Sequence, residues 1–159
     1  KNIGAHVVIV GHSENREKGE SDKLINLKIK SALEAKLRII FCIGETLNEK
    51  RKKKTKSILS NQIKIGLKNI KNKSNIFIAY EPVWAIGSGI IPKSNDLFKT
   101  VEFIKSKFKP KSTKVLYGGS VNTQNIINLK EINNIDGFLI GGASQNINKF
   151  IDIVKKTYS

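Results

Sequence analysis

Five short apolar runs, each ending in small or polar residues and each followed by a stretch with helical spacing, most constrain what this chain can fold into. The runs are VVIV (7–10), RIIFCI (38–43), IFIA (76–79), KVLY (114–117) and DGFLI (136–140). Each is too compact for a helix and suits a strand buried on both faces, as in a parallel sheet. Between them the apolar positions fall at helical spacing. Leu24, Ile25, Leu27, Ile29, Ala32 and Leu33 predict a helix from about Asp22 to Ala35. Thr46 with Glu49 forms a capping-box pattern opening a helix that continues through Ile58, Leu59, Ile63 and Leu67. Ser94 or Asn95 is expected to cap a helix carrying Leu97, Val101, Phe103, Ile104 and Phe108, with Pro110 marking its end. A helix containing Ile126, Ile127 and Leu129 and a last one over about Asn148–Lys156 complete the series. With no linker or low-complexity tract, residues 1–159 read as a single α/β domain of five parallel strand–helix units.

The strand tips are His12, Glu45, Glu81, Gly118-Gly119-Ser120 and Gly141-Gly142. In a (β/α)8 barrel or an open doubly wound sheet, ligands bind at that edge, so function is expected there. The third tip is the most informative. Glu81 ends a buried strand, Pro82 stiffens the chain beyond it, and Val83 to Gly89 pass from apolar residues to two glycines. That composition suits a loop able to close, shed water and offer backbone N–H groups. A carboxylate under an apolar lid is a general-base arrangement, because burial raises its pKa towards the working range; a glutamate beside an ordinary loop is the plainer alternative. The last two tips, rich in glycine and each with a hydroxyl, suit an anion such as phosphate. Neither has a P-loop lysine pattern and no GxGxxG occurs, which argues against a nucleotide. His12, at the first tip, is either a structural histidine or, if a helix start beside it keeps the ring neutral, a group that polarises a carbonyl. Together these residues suit proton shuttling on a small phosphorylated carbonyl compound.

Composition narrows the alternatives. The formal charge of +16 comes almost wholly from lysine, with arginine only at 16, 38 and 51. Sequence-specific nucleic-acid readers use arginine forks and stacked aromatics. Here aromatics are 7% and stand apart from the lysines, so no specific nucleic-acid partner is expected. The run Lys50 to Lys54 reads as the solvated start of a helix rather than a localisation signal. No apolar run is long enough to span a bilayer, so no membrane partner is expected, and no signal peptide is legible. The single Cys42 fits a reducing compartment and reads as a small core residue, and His6 is given no role. No cluster at ligand spacing suggests a metal. Methionine is absent even at position 1, so the sequence reads as processed or incomplete.

VVIVGHSENR (7–16), FCIGETL (41–47), AYEPVWAIGSG (79–89), VLYGGSV (115–121) and DGFLIGGAS (136–144) resemble, in order and spacing, the triosephosphate isomerase family. The family is itself the type example of a glutamate base working with a neutral histidine under a closing loop. The resemblance implies that Glu81 is the base and His12 the electrophile, with Glu14 a supporting carboxylate. It implies a phosphate cradle of Gly87, Ser120, Gly141 and Gly142, and a reaction interconverting glyceraldehyde 3-phosphate and dihydroxyacetone phosphate without metal or cofactor. It further implies a cytoplasmic enzyme of glycolysis and gluconeogenesis, dimeric at full length. Two positions depart from the family: Asn15 replaces the usual arginine after HSE, and Ser88 replaces the commoner threonine. The chain starts just before what resembles the fourth of eight units, in a fold of about 250 residues. It is therefore expected to be a partial (β/α)8 TIM barrel, incomplete, inactive alone and without the first-strand Asn and Lys that contact substrate in the family. A non-catalytic phosphate-binding half-barrel and a basic accessory protein are the alternatives.

Overall fold

The computed structural model describes residues 3–108 and 113–159. The five apolar runs form strands β1 (Val7–Val10), β2 (Arg38–Ile43), β3 (Ile76–Tyr80), β4 (Val115–Tyr117) and β5 (Gly137–Phe138). All pair in parallel in the order β1-β2-β3-β4-β5. A doubly wound sheet reverses its strand order part-way, and this one does not. Consecutive parallel neighbours joined by right-handed crossovers carry their helices on one face. The result is an α/β fold with the layering of a partial TIM barrel.

Register sorts the side chains between the two faces. Val10, Phe41 and Ile78 stand side by side across β1, β2 and β3, with Val115 paired to Ile78. These residues, with Ile39, Ile43, Ile76, Tyr80 and Tyr117, are buried in the main apolar core. The helices fill that core from outside. They are α1 (Ser13–Glu17), α2 (Asp22–Glu34), α3 (Leu47–Arg51), α4 (Thr55–Gly66), α5 (Ser94–Lys105), α6 (Ile126–Lys130) and α7 (Ile147–Tyr158). From α2 come Ile25 and Ile29, from α4 Leu59 and Ile63, and from α5 Leu97, Val101 and Ile104. The alternate residues Ile9, Ile40, Cys42, Phe77, Ala79 and Leu116 face the other way, towards the inside of the curved sheet. Two buried amides tie the layers together. Asn26 donates to the carbonyls of Gly66 and Lys68, and Gln62 bonds both the N–H and the carbonyl of Gly44.

Five expectations are corrected. The helix expected from Thr46 through Leu67 is two helices, α3 and α4. The capping box of Thr46 and Glu49 is present, but the chain breaks at Lys53, whose φ is +56°. Neighbouring ammonium groups in this basic run repel one another, and no buried side chain in α3 anchors it. The polar turn after His12 contains α1. Neither Ser94 nor Asn95 caps α5: Lys93 is the N-cap, without a side-chain bond. Finally, β5 is two residues long, so residues 139–140 leave the ladder as it opens into the glycine-rich tip. Helix α7 starts one residue earlier and ends two later than expected. Pro110 lies outside the described residues.

Candidate active site

The tips of β1, β3, β4 and β5 converge on one cavity of about 460 Å³. Its lining includes His12, Glu81, Gly87, Ser120, Gly141 and Gly142, so the expected base, electrophile and phosphate cradle come together, whereas Glu14, the expected supporting carboxylate, and Glu45, at the second strand tip, do not line it. Glu81 follows Tyr80, which points to the helices, so strand alternation aims the carboxylate inward. Its backbone is held as a continuation of the ladder, the Glu81 N–H donating to the Ile43 carbonyl at 2.8 Å. Gly44 must be glycine here, since a Cβ would lie 1.8 Å from the Glu81 carbonyl oxygen. Gly118 presses against the same side chain, where a Cβ would come within 2.8 Å of Glu81 Cγ.

His12 occupies the N-cap of α1, its carbonyl accepting from the N–H groups of Asn15 and Arg16. This turn brings Nε2 to 3.5 Å from Glu81 Oε1. Glu81 is 3% exposed, and burial pushes its carboxyl above the usual carboxylate range. His12, the Cys42 thiol, the Ser13 N–H and Arg16 oppose that rise in decreasing order. Oε2 of Glu81 is buried and has no hydrogen-bond partner among the described residues. A base that takes a proton from carbon needs such an uncommitted lone pair, because carbon does not pre-form a strong hydrogen bond.

The lid segment runs from the 3-10 turn Val83–Ala85 to Gly89 and is pinned at both ends. Trp84 Nε1 donates to Glu45 Oε1 at 3.0 Å, and the Tyr80 hydroxyl bonds the same buried carboxylate. The Lys50 ammonium lies 3.2 Å from the centroid of the Trp84 ring. At the far end the Gly89 N–H donates to Ser120 Oγ, while the Ser120 N–H donates to the Ala85 carbonyl. Gly87 and Gly89, at φ +65° and +74°, take the left-handed conformation that glycine adopts without strain. Ser88 keeps its hydroxyl within the segment, donating to the Trp84 carbonyl.

A family model described as Triosephosphate isomerase matches residues 1–157. The chain belongs to the triosephosphate isomerase family. Among curated relatives, the "Triosephosphate isomerase" of Thermodesulfovibrio yellowstonii is 41% identical over 162 residues, covering 98% of this chain and 66% of the relative. The proteins of that name from Mycoplasmoides gallisepticum and Leptospira interrogans serogroup Icterohaemorrhagiae serovar Lai are 43% and 42% identical, covering 98% and 96% of this chain. In both cases the chain again spans 66% of the relative's length.

Against the family pattern, three residues behave in ways the sequence did not signal. Cys42 is buried as expected but sits on the inward face beside Glu81, not in the helix-facing core; burial, then the Glu81 charge, push its thiol far up, so it stays protonated and inert. Arg16 ties the β1 and β2 tips together through the carbonyls of Gly11 and Cys42, and pairs with Asp22 at 2.7 Å. Glu14 is exposed and has no side-chain hydrogen bond or ion pair among the described residues. No group of three or more potential ligand residues that could hold a metal ion occurs among the described residues.

Proposed function

We propose that this chain carries the proton-transfer and phosphate-binding groups of a triose-phosphate isomerase, acting on D-glyceraldehyde 3-phosphate and dihydroxyacetone phosphate. The observation that carries the reading is the approach of His12 Nε2 to Glu81 Oε1 at 3.5 Å, in a cavity rimmed by the glycine-rich tips. A carbonyl acidifies the C–H bond next to it, so a buried carboxylate can remove that proton once the oxygen is stabilised. In the proposed role Glu81 takes the proton from one carbon and returns it to the neighbouring carbon. His12 polarises the carbonyl and stabilises the enediolate between the two steps. Gly87, Ser120, Gly141 and Gly142 hold the phosphate by N–H and hydroxyl donors. A closed lid would exclude water and limit loss of phosphate by elimination. This chemistry uses neither metal nor cofactor.

The family and the names of the relatives support the rest of the reading: one domain formed by the C-terminal portion of a barrel, a homodimer at full length, and a cytoplasmic place in glycolysis and gluconeogenesis. No helix among the described residues is long and apolar enough to cross a membrane. The test is Glu81→Gln in the native protein as isolated from its source cells. Turnover of triose phosphate should fall on the order of 10²- to 10⁴-fold, the usual contribution of a positioned base. Binding of inorganic phosphate should persist. A variant with undiminished turnover would remove Glu81 from the reaction. A native protein that binds phosphate but never turns over would be a non-catalytic phosphate-binding half-barrel instead.

A further inference from the structure

The glycine-rich rim has a charge problem. A phosphate monoester carries between one and two negative charges near neutrality. The donors proposed to hold it, in Gly87, Ser120, Gly141 and Gly142, are all neutral. Among the described residues, only three side chains lining the cavity are ionisable: His12, Glu81 and Lys149. Glu81 has the wrong sign. His12 lies 3.5 Å from Glu81, at the proton-transfer end. That leaves Lys149.

We propose that Lys149, in the first turn of α7, contributes a cation to the phosphate subsite. The inference rests on reading the glycine-rich rim as phosphate-binding. It adds a residue outside every motif that carries the family resemblance.

Local structure supports the placement. The 3-10 turn Gly142–Gln145 leads directly into α7, and the Asn146 side chain caps that helix by accepting from the Lys149 N–H at 3.0 Å. The turn that presents Gly141 and Gly142 therefore also fixes the backbone from which Lys149 extends. A lysine in a first helical turn opposes the helix dipole, and no acidic residue offsets it in that turn of α7. Helix stability is thus no reason for a positive charge at this position. The ammonium is also uncommitted: no carboxylate lies within 4.0 Å of it among the described residues. Asp152, one turn on, is paired with Lys156 at 2.8 Å.

Because Lys149 is exposed, its replacement should leave the fold intact. The experiment compares the native protein with Lys149→Gln and Lys149→Arg. It reads the dissociation constant for inorganic phosphate by calorimetry, together with KM and kcat for triose phosphate. Lys149→Gln should weaken phosphate binding and raise KM roughly fivefold at low salt, the size of one solvent-exposed charge pair. The effect should shrink as salt screens it. Lys149→Arg should restore most of the affinity, and kcat should stay unchanged in both variants. Equal phosphate affinity in the native protein and Lys149→Gln at low salt would overturn the proposal. A native protein without turnover would overturn the isomerase reading alone, since the phosphate titration still decides Lys149.

Discussion

At Glu81 one physical conflict sets the site: the carboxyl is buried more completely than its partners can compensate, so its pKa lies above the ordinary range. Linkage gives the sign of the consequence. Below the unfolded pKa both states are protonated and the group costs nothing. As pH rises through the folded value, ionisation is harder in the folded protein and stability is lost. The denaturation midpoint of the native protein should therefore fall relative to that of Glu81→Gln as pH is raised from about 4 to 8. A constant difference across that range would contradict the assignment. The two glycines packed on Glu81 should separate stability from activity. A Cβ on Gly44 meets backbone that cannot yield, so Gly44→Ala should cost about 3 kcal/mol in denaturant unfolding. Gly118→Ala meets only side-chain atoms, so it should displace the carboxylate and lower kcat with a smaller loss of stability. Undiminished turnover in Gly118→Ala would show that the carboxylate tolerates displacement. Glu81 and His12 were legible in the sequence because each stands where an apolar run stops. Gly44, Cys42 and Lys149 were not, since their importance depends on which strands are neighbours and at what register.

The alternation of strands and helices was legible for a similar reason: strands buried on both faces must be short apolar runs, and helices packed on one face must be amphipathic. What escaped was local. Lysine is a good helix former, so nothing intrinsic to residues 50–54 announces a break; repulsion within the run and the lack of a buried anchor produce it. The break has a functional side, because α3 is the element that places Lys50 over Trp84 at the start of the lid. Trp84 is the only tryptophan in the chain, so tryptophan emission from this chain reports on the surroundings of this one ring. Lys50→Ala should shift Trp84 emission and change unfolding free energy by no more than about 1 kcal/mol, the worth of a partly exposed cation–π contact. Glu45→Gln should shift it too, by altering the acceptor of the indole N–H. Unchanged emission in Lys50→Ala would mean that the ammonium does not hold the ring in solution.

For the 159-residue stretch taken as a whole, the open sheet is the governing fact. Among the described residues β1 and β5 each pair on one side only, and on β1 the apolar residues Val7 and Ile9 are both 46% exposed. The other end of the sheet is flanked by α7, where Phe150, Ile151 and Val154 are also exposed. Unpaired parallel edges beside apolar surface template association with other chains. Opposing this is a net charge of +16, which keeps copies of the chain apart while ionic strength is low. These two terms respond differently to salt, since screening weakens the repulsion and leaves the edges and apolar faces as they are. The 159-residue stretch expressed on its own should therefore stay dispersed in dilute buffer and associate as salt approaches physiological strength, as light scattering would record. Inorganic phosphate should bind more weakly than to the native protein, and triose-phosphate turnover should be negligible, because inward side chains such as Ile9 have no opposing layer to hold the cavity closed. Near-normal turnover by this stretch would show that five strands hold the site unaided. Dispersal that is indifferent to salt would show that the exposed edges are already protected, and the argument from an open sheet would fail with it.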